Sequence, residues 1–135
     1  MSKVRRLVVN VDGGSRGNPG PAAIAAVASD PSGEVLAERH ETIGRATNNV
    51  AEYRAMLLGA KLARELDASE VELIGDSQLI VRQVRGEYKV KDANLKPLRE
   101  KVVKALRDFE RWSIRDVRRE QNEHADRLVN EALDA

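Results

Sequence analysis

A chain of 135 residues fits one domain spanning 1–135 and is long enough for a single substantial core. Its 41% hydrophobic and 33% charged residues describe a soluble globular protein with an ionised surface, and a net charge of +1 excludes bulk positive charge as a basis for polyanion binding. The absence of cysteine excludes disulfides and thiol chemistry, and the longest apolar stretch, Ala22 to Ala28, is too short to span a bilayer.

In chain order, Arg6 to Val11 is a nearly unbroken β-branched and apolar run. It predicts a strand covered on both faces that stops at Asp12-Gly13-Gly14, leaving Asp12 at a strand end. Ala22 to Ala28 and Glu34 to Ile43 predict two more strands, joined by Asp30-Pro31-Ser32-Gly33 as a type I turn, to give a three-stranded meander. From Asn48 the period changes: Ala51, Ala55, Leu58, Leu62 and Leu66 recur at helical spacing, with Glu52 bordering the stripe. Val71 to Gly75 predicts a strand ending at Asp76, followed by a short helix from Ser77 to Arg85 that Gly86 closes. Asn94 is placed to cap a helix with Leu95, Leu98, Val102, Leu106 and Phe109 inward, Pro97 being tolerated where first-turn amides have no partner. Trp112 to Val117 is a fifth strand, and Asn122 starts a last helix with Ala125, Leu128, Val129 and Ala132 inward and Asp126 beside them. The order β-β-β-α-β-α-α-β-α specifies an α/β fold, a mixed sheet with helices on its faces.

Asp12 and Asp76 end apolar runs, while Glu52 and Asp126 adjoin the inward stripes of helices. Buried carboxylates are costly unless a cation or hydrogen-bond donors meet them. Each has a plainer alternative: Asp76 as a cap of the Ser77 helix, Asp126 paired with Arg127 or Arg119, Glu52 as ordinary surface. If parallel strands set Asp12 beside Asp76, the switch-point rule for open sheets puts a ligand there. An all-oxygen cluster suits magnesium or manganese, not zinc. The segment Asp12-Gly13-Gly14-Ser15-Arg16-Gly17-Asn18-Pro19-Gly20 lets backbone amides approach a phosphate or sugar, or simply turns the chain; it is no Walker loop. Clusters at Lys3, Arg5 and Arg6, and at Arg111, Arg115, Arg118 and Arg119, fit a local nucleic-acid face and solvated edges equally well.

Together, Asp12-Gly13-Gly14-Ser15, Gly17-Asn18-Pro19-Gly20, Thr47-Asn48-Asn49-Val50-Ala51-Glu52, Asp76-Ser77-Gln78, and Asn122 with Ala125-Asp126 resemble the ordered motif series of type 1 ribonucleases H, across nearly the whole chain. The resemblance implies a ribonuclease H-like fold, a five-stranded mixed sheet with helices on its faces. It implies that Asp12, Glu52, Asp76 and Asp126 are catalytic and hold two Mg2+ ions, or Mn2+, for hydrolysis of the RNA strand of an RNA/DNA hybrid to 5'-phosphate and 3'-hydroxyl ends. By the same resemblance, Gly13, Gly14, Asn48, Asn49 and Gln78 read RNA 2'-hydroxyls, and Asn18, Arg45 and Thr47 hold a DNA phosphate. Asn18-Pro19 is a candidate cis bond.

Two departures stand out. The basic, tryptophan-bearing protrusion of many members is reduced here to Arg85 to Asn94, with Tyr88, Lys89 and Lys91, and the histidine-bearing loop before the last helix holds none between Arg115 and Gln121. His124 reads as a helix-surface residue, leaving Arg118 or Arg119 to assist product release. This compact form is similar to archaeal-type members, which implies activity on double-stranded RNA as well. The expected protein is a cytoplasmic monomer with no membrane partner. Rival readings are a hybrid-binding module without cleavage, a sugar-kinase or actin-like ATPase lobe, or another nuclease of the superfamily. The intact acids oppose the first, the single-lobe length the second, and Thr47-Asn48-Asn49 and Asp76-Ser77-Gln78 the third.

Overall fold

β-Branched and alanine-rich runs make the sheet, and a computed structural model of the protein describes residues 5–135. Lys3 lies outside them. The elements are β1 (Arg6–Ser15), β2 (Gly20–Ser29), β3 (Val35–Ala46), α1 (Asn48–Glu65), β4 (Glu70–Gly75), α2 (Gln78–Val84), α3 (Lys96–Arg107), β5 (Arg111–Asp116), a 3-10 turn (Arg119–Asn122) and α4 (Glu123–Asp134). The expected order is therefore present, with the 3-10 turn added. The five strands lie in the order β3-β2-β1-β4-β5. β1, β2 and β3 form the antiparallel meander, while β4 runs parallel to both β1 and β5.

Successive strand side chains point to opposite faces, which splits the apolar residues into two cores. Leu7, Val9, Val11, Ile24 and Leu73 pack against α1, α2 and α3. Ala23, Ala25 and Val27 of β2 pack on the other face against Ala125, Leu128, Val129 and Ala132 of α4. α1 is buried on more sides than the predicted stripe, including Glu52, Tyr53, Met56 and Gly59, while Leu58 and Leu66 are only half-buried. The cause is its seat against both the sheet and α3. Gly59 allows that seat, since a Cβ there would stand 2.5 Å from Val11 Cγ1. Inside this core the Tyr53 hydroxyl donates to Gln83 at 2.6 Å, so the buried polar pair is satisfied.

Three local expectations are corrected. Asp12 does not end β1: the strand continues to Ser15, because Gly13, Gly14 and Ser15 pair with Ile24, Ala23 and Ala22 of β2. Asn94 does not cap α3, whose N-cap is Leu95 without a side-chain bond. Instead the Asp92 carboxylate accepts from the Asn94 amide at 2.8 Å, and the Asp92 carbonyl accepts from Leu95 and Lys96. Nor is β1 covered equally on its two faces, since Val8 and Asn10 are half-buried where Leu7, Val9 and Val11 are buried. The expected turn is present, with Asp30 Oδ1 accepting from the amides of Ser32 and Glu34 and Gly33 at a φ of 93°.

Candidate active site

Parallel pairing of β1 with β4 runs to Asn10 opposite Ile74. Two residues further along each chain stand Asp12 and Asp76, so the shared register sets the two carboxylates side by side. There β1 turns its hydrogen bonds to β2 alone while β4 stops, which opens a cleft at the end of the parallel pair. Ser77, not Asp76, caps α2, accepting from the Ile80 amide.

Glu52 arrives from the second turn of α1. Thr47 fixes where that helix begins by accepting from the Val50 amide at 3.2 Å. Glu52 Oε1 accepts from the Gly13 amide at 2.9 Å. Gly13 makes this approach possible, because a Cβ on it would lie 2.2 Å from the Ala51 carbonyl oxygen. Gly13→Ala is accordingly expected to destabilise the fold by about 1–3 kcal/mol, the usual cost of overpacking. Gly14→Ala, whose Cβ would meet only side-chain atoms at 3.7 and 3.8 Å, is expected to stay within about 0.5 kcal/mol. Urea unfolding of the two variants checks this, and equal losses would show that the α1–β1 contact yields easily.

One carboxylate oxygen each from Asp12, Glu52 and Asp76 lies within 4.8 Å of the others. Asp126, on α4, lines the same cleft, and its charge bears on Asp12. Asp12 and Glu52 are only 6% and 5% exposed. Burial, then the charges of Glu52, Asp76 and Asp126, push Asp12 up to about 9. Burial and the Asp76 charge push Glu52 up to about 7, against the Gly13 amide that favours its ionised form. Asp76 is raised too, chiefly by burial, with the Asn122 amide and the Arg119 charge opposing.

Among the described residues, basic compensation in the cleft is slight. Arg16 is engaged with Asp134 at 2.6 Å. Arg119 Nη2 stands 3.4 Å from Asp126 with its side chain 76% exposed, and exposed pairs of this kind contribute about 0–1 kcal/mol. A cluster of buried carboxylates short of positive charge, offering only hard oxygen donors, fits a divalent cation.

Of the residues expected to touch substrate, Gly13, Gly14 and Asn48 line the acid cleft. Asn18 Oδ1 accepts from the Asn48 amide at 3.1 Å, joining Asn18 and Thr47 at the start of α1. The Asn18–Pro19 bond is cis. Asn49 follows Asn48 in the first turn, half-buried, and Gln78 is the exposed first residue of α2 beside Ser77. Arg45, opposite Pro21, lines a separate hollow with Thr42 and Leu133. Arg119 reaches the cleft; Arg118 is an exposed residue at the start of the 3-10 turn and does not line it. Arg111 and Arg115 pair with Glu70 and Glu72, as solvated edges do. His124 Nε2 lies 2.7 Å from Glu38 of β3, and Arg127 pairs with Glu131.

Sequence reasoning placed Asn122 at a helix start and in the motif series with Asp126, but assigned it no role in the site. It is 2% exposed, occupies the N-cap position of α4 without capping, and donates from Nδ2 to the Val11 carbonyl at 2.9 Å. Its signal in the sequence was its place four residues, about one helical turn, before Asp126.

This geometry agrees with the comparisons. A family model described as reverse transcriptase-like matches residues 10–132. A ribonuclease HI of Halobacterium salinarum is 46% identical over 129 residues, covering 96% of this chain and 65% of the relative. The chain spans only 36% of the mycobacterial proteins it also matches. The crystal structure of ribonuclease H1 from the same halophilic archaeon superposes with a TM-score of 0.94 at 45% identity, over 96% of this chain and 98% of that one. LC11-RNase H1 in complex with an RNA/DNA hybrid gives 0.90 at 41% identity, over 95% and 96%. With its five-stranded mixed sheet, its acid cleft and its motif series in order, the chain belongs to the type 1 ribonuclease H family.

Proposed function

We propose that the protein is an endoribonuclease that hydrolyses the RNA strand of RNA/DNA hybrids. The observation that carries this is the convergence of Asp12, Glu52, Asp76 and Asp126 from β1, α1, the end of β4 and α4. The relative solved on a hybrid supports the substrate class. The four carboxylates would hold two magnesium ions, with manganese as a substitute. When bound, such a pair supplies an activated water and stabilises charge on the departing 3'-oxygen.

The protein's own residues then bind and orient. Gly13, Gly14 and Asn48, which line the cleft, together with Asn49 and Gln78 would meet RNA 2'-hydroxyls, a contact that reads strand type without reading bases. Asn18 and Thr47 at the start of α1, with Arg45 on the adjoining end of β3, hold a phosphate of the DNA strand. Arg119, which lines the cleft, assists product release in preference to Arg118. No helix among the described residues is long and apolar enough to cross a membrane; a monomeric, cytoplasmic enzyme is the reading the sequence suggests.

Labelled RNA/DNA, RNA/RNA and DNA/DNA duplexes, each incubated with magnesium, manganese or chelator, test this reading. Metal-dependent cutting of the RNA strand to 5'-phosphate and 3'-hydroxyl ends is expected, with slower cutting of RNA/RNA and none of DNA/DNA. Cleavage in excess chelator, or a 2',3'-cyclic product, would overturn it.

A further inference from the structure

Asn10 is the polar interruption in the run Leu7 to Val11. It is half-buried and two residues from Asp12 on the same face of β1, roughly 7 Å along the strand. Its Nδ2 donates to Asn122 Oδ1 at 3.1 Å, across 112 positions of sequence. Asn122 in turn donates to the Val11 carbonyl at 2.9 Å, and its amide favours the ionised form of Asp76. The acceptor end of this buried amide is thus filled by Asn10. Its donor end is committed to the backbone beside Asp12, with Asp76 nearby.

The two ends of a side-chain amide have nearly the same shape and differ in hydrogen-bonding sense, so partners alone decide its orientation. Turned over, Asn122 would set a carbonyl oxygen against the Val11 carbonyl, acceptor facing acceptor, and would withdraw the NH2 end that favours the Asp76 charge. We propose that Asn10 is a positioning residue, locking the NH2 end of Asn122 toward Val11 and Asp76 and so holding Asp12 and Asp76 in place for a divalent cation. Asn10 acts through Asn122. The inference rests on the metal-centre reading above.

Outer hydrogen-bonding partners of metal ligands commonly change affinity by about 10–100-fold. Calorimetric titration of the substrate-free protein with manganese separates the possibilities. Asn10→Val is expected to weaken binding on the order of tenfold and to lower kcat, leaving KM for the hybrid unchanged because no substrate-facing residue is altered. Asn10→Asp keeps the side-chain shape and adds a negative charge near the cation, which by charge alone tightens binding. The ionised carboxylate of that variant has no proton to give Asn122 Oδ1 and draws the NH2 end to itself, so the expected result is weaker binding. Tighter or unchanged binding in Asn10→Asp, or unchanged binding in folded Asn10→Val, overturns the proposal. If Asn10→Val fails to fold, Asn10→Asp decides alone. Wild-type protein that binds no divalent cation overturns the metal-centre reading, and this inference with it.

Discussion

Asp12→Asn is expected to reduce turnover of a hybrid by roughly a thousandfold while leaving the fold intact. Asp12 lies at the centre of the cluster, within 4.8 Å of carboxylate oxygens from Glu52 and Asp76 and in the same cleft as Asp126. One unit-charge attraction at about 4 Å with an effective dielectric near 20 contributes roughly 4 kcal/mol, and each ~1.36 kcal/mol is tenfold in rate. The amide preserves shape, so circular dichroism should be unchanged. Single-turnover cleavage at saturating hybrid and magnesium measures the loss. Retention of more than about a tenth of wild-type turnover, a loss below ~1.4 kcal/mol, would remove Asp12 from the chemistry.

The second large effect is a dependence of stability on pH that metal reverses. Asp12 and Glu52, at about 9 and about 7 in the folded state, ionise near 4 when unfolded. A raised folded pKa means that the native state holds the proton more tightly. The stabilising contribution is therefore complete below about pH 4, declines as pH rises through the folded values, and levels off near 9. Metal-free protein should lose stability across that window, and saturating magnesium should restore it by binding the ionised native form. At pH 7.5 the native state must keep Asp12 protonated, a cost the neutral amide does not carry, so Asp12→Asn should stabilise metal-free protein by at least about 1 kcal/mol. That advantage should shrink at pH 4 and again in magnesium. Thermal melts at both pH values, with magnesium or chelator, decide it. If Asp12→Asn in chelator at pH 7.5 is as damaging as an ordinary buried substitution, Asp12 is a structural hydrogen-bonding residue and the mutual repulsion is absent.

Element order was legible because it rests on local signals, the runs of β1 and β4 and the helical spacing from Ala51 onward. The acids could be singled out because each breaks or borders an apolar pattern. What was hidden depends on distant partners. Gly13 and Gly14 resemble a turn until Ile24 and Ala23 of β2 supply their pairing. Glu52 looks like a helix edge until α3 and the sheet enclose α1 and the Gly13 amide draws its carboxylate inward. Asn122 resembles a cap until its side chain turns toward Val11 and Asn10. Lone basic residues were ambiguous for the opposite reason. Whether an arginine meets Glu70 across a strand pair or Asp126 at a cleft depends on register, which composition does not encode.

α4 stands alone on its side of the sheet, seated on Ala23, Ala25 and Val27, with exposed ion pairs at Arg16–Asp134 and His124–Glu38. Alanine contacts bury little apolar area, and exposed pairs add little more. Such an element belongs to the low end of the local stability range, so it detaches at a smaller free energy than the whole domain needs to unfold. Asp126 leaves with it. Asp12, Glu52 and Asp76 remain on β1, α1 and the end of β4, so a largely folded state with an incomplete acid cluster is expected below global unfolding, and its occupancy is expected to limit the working temperature.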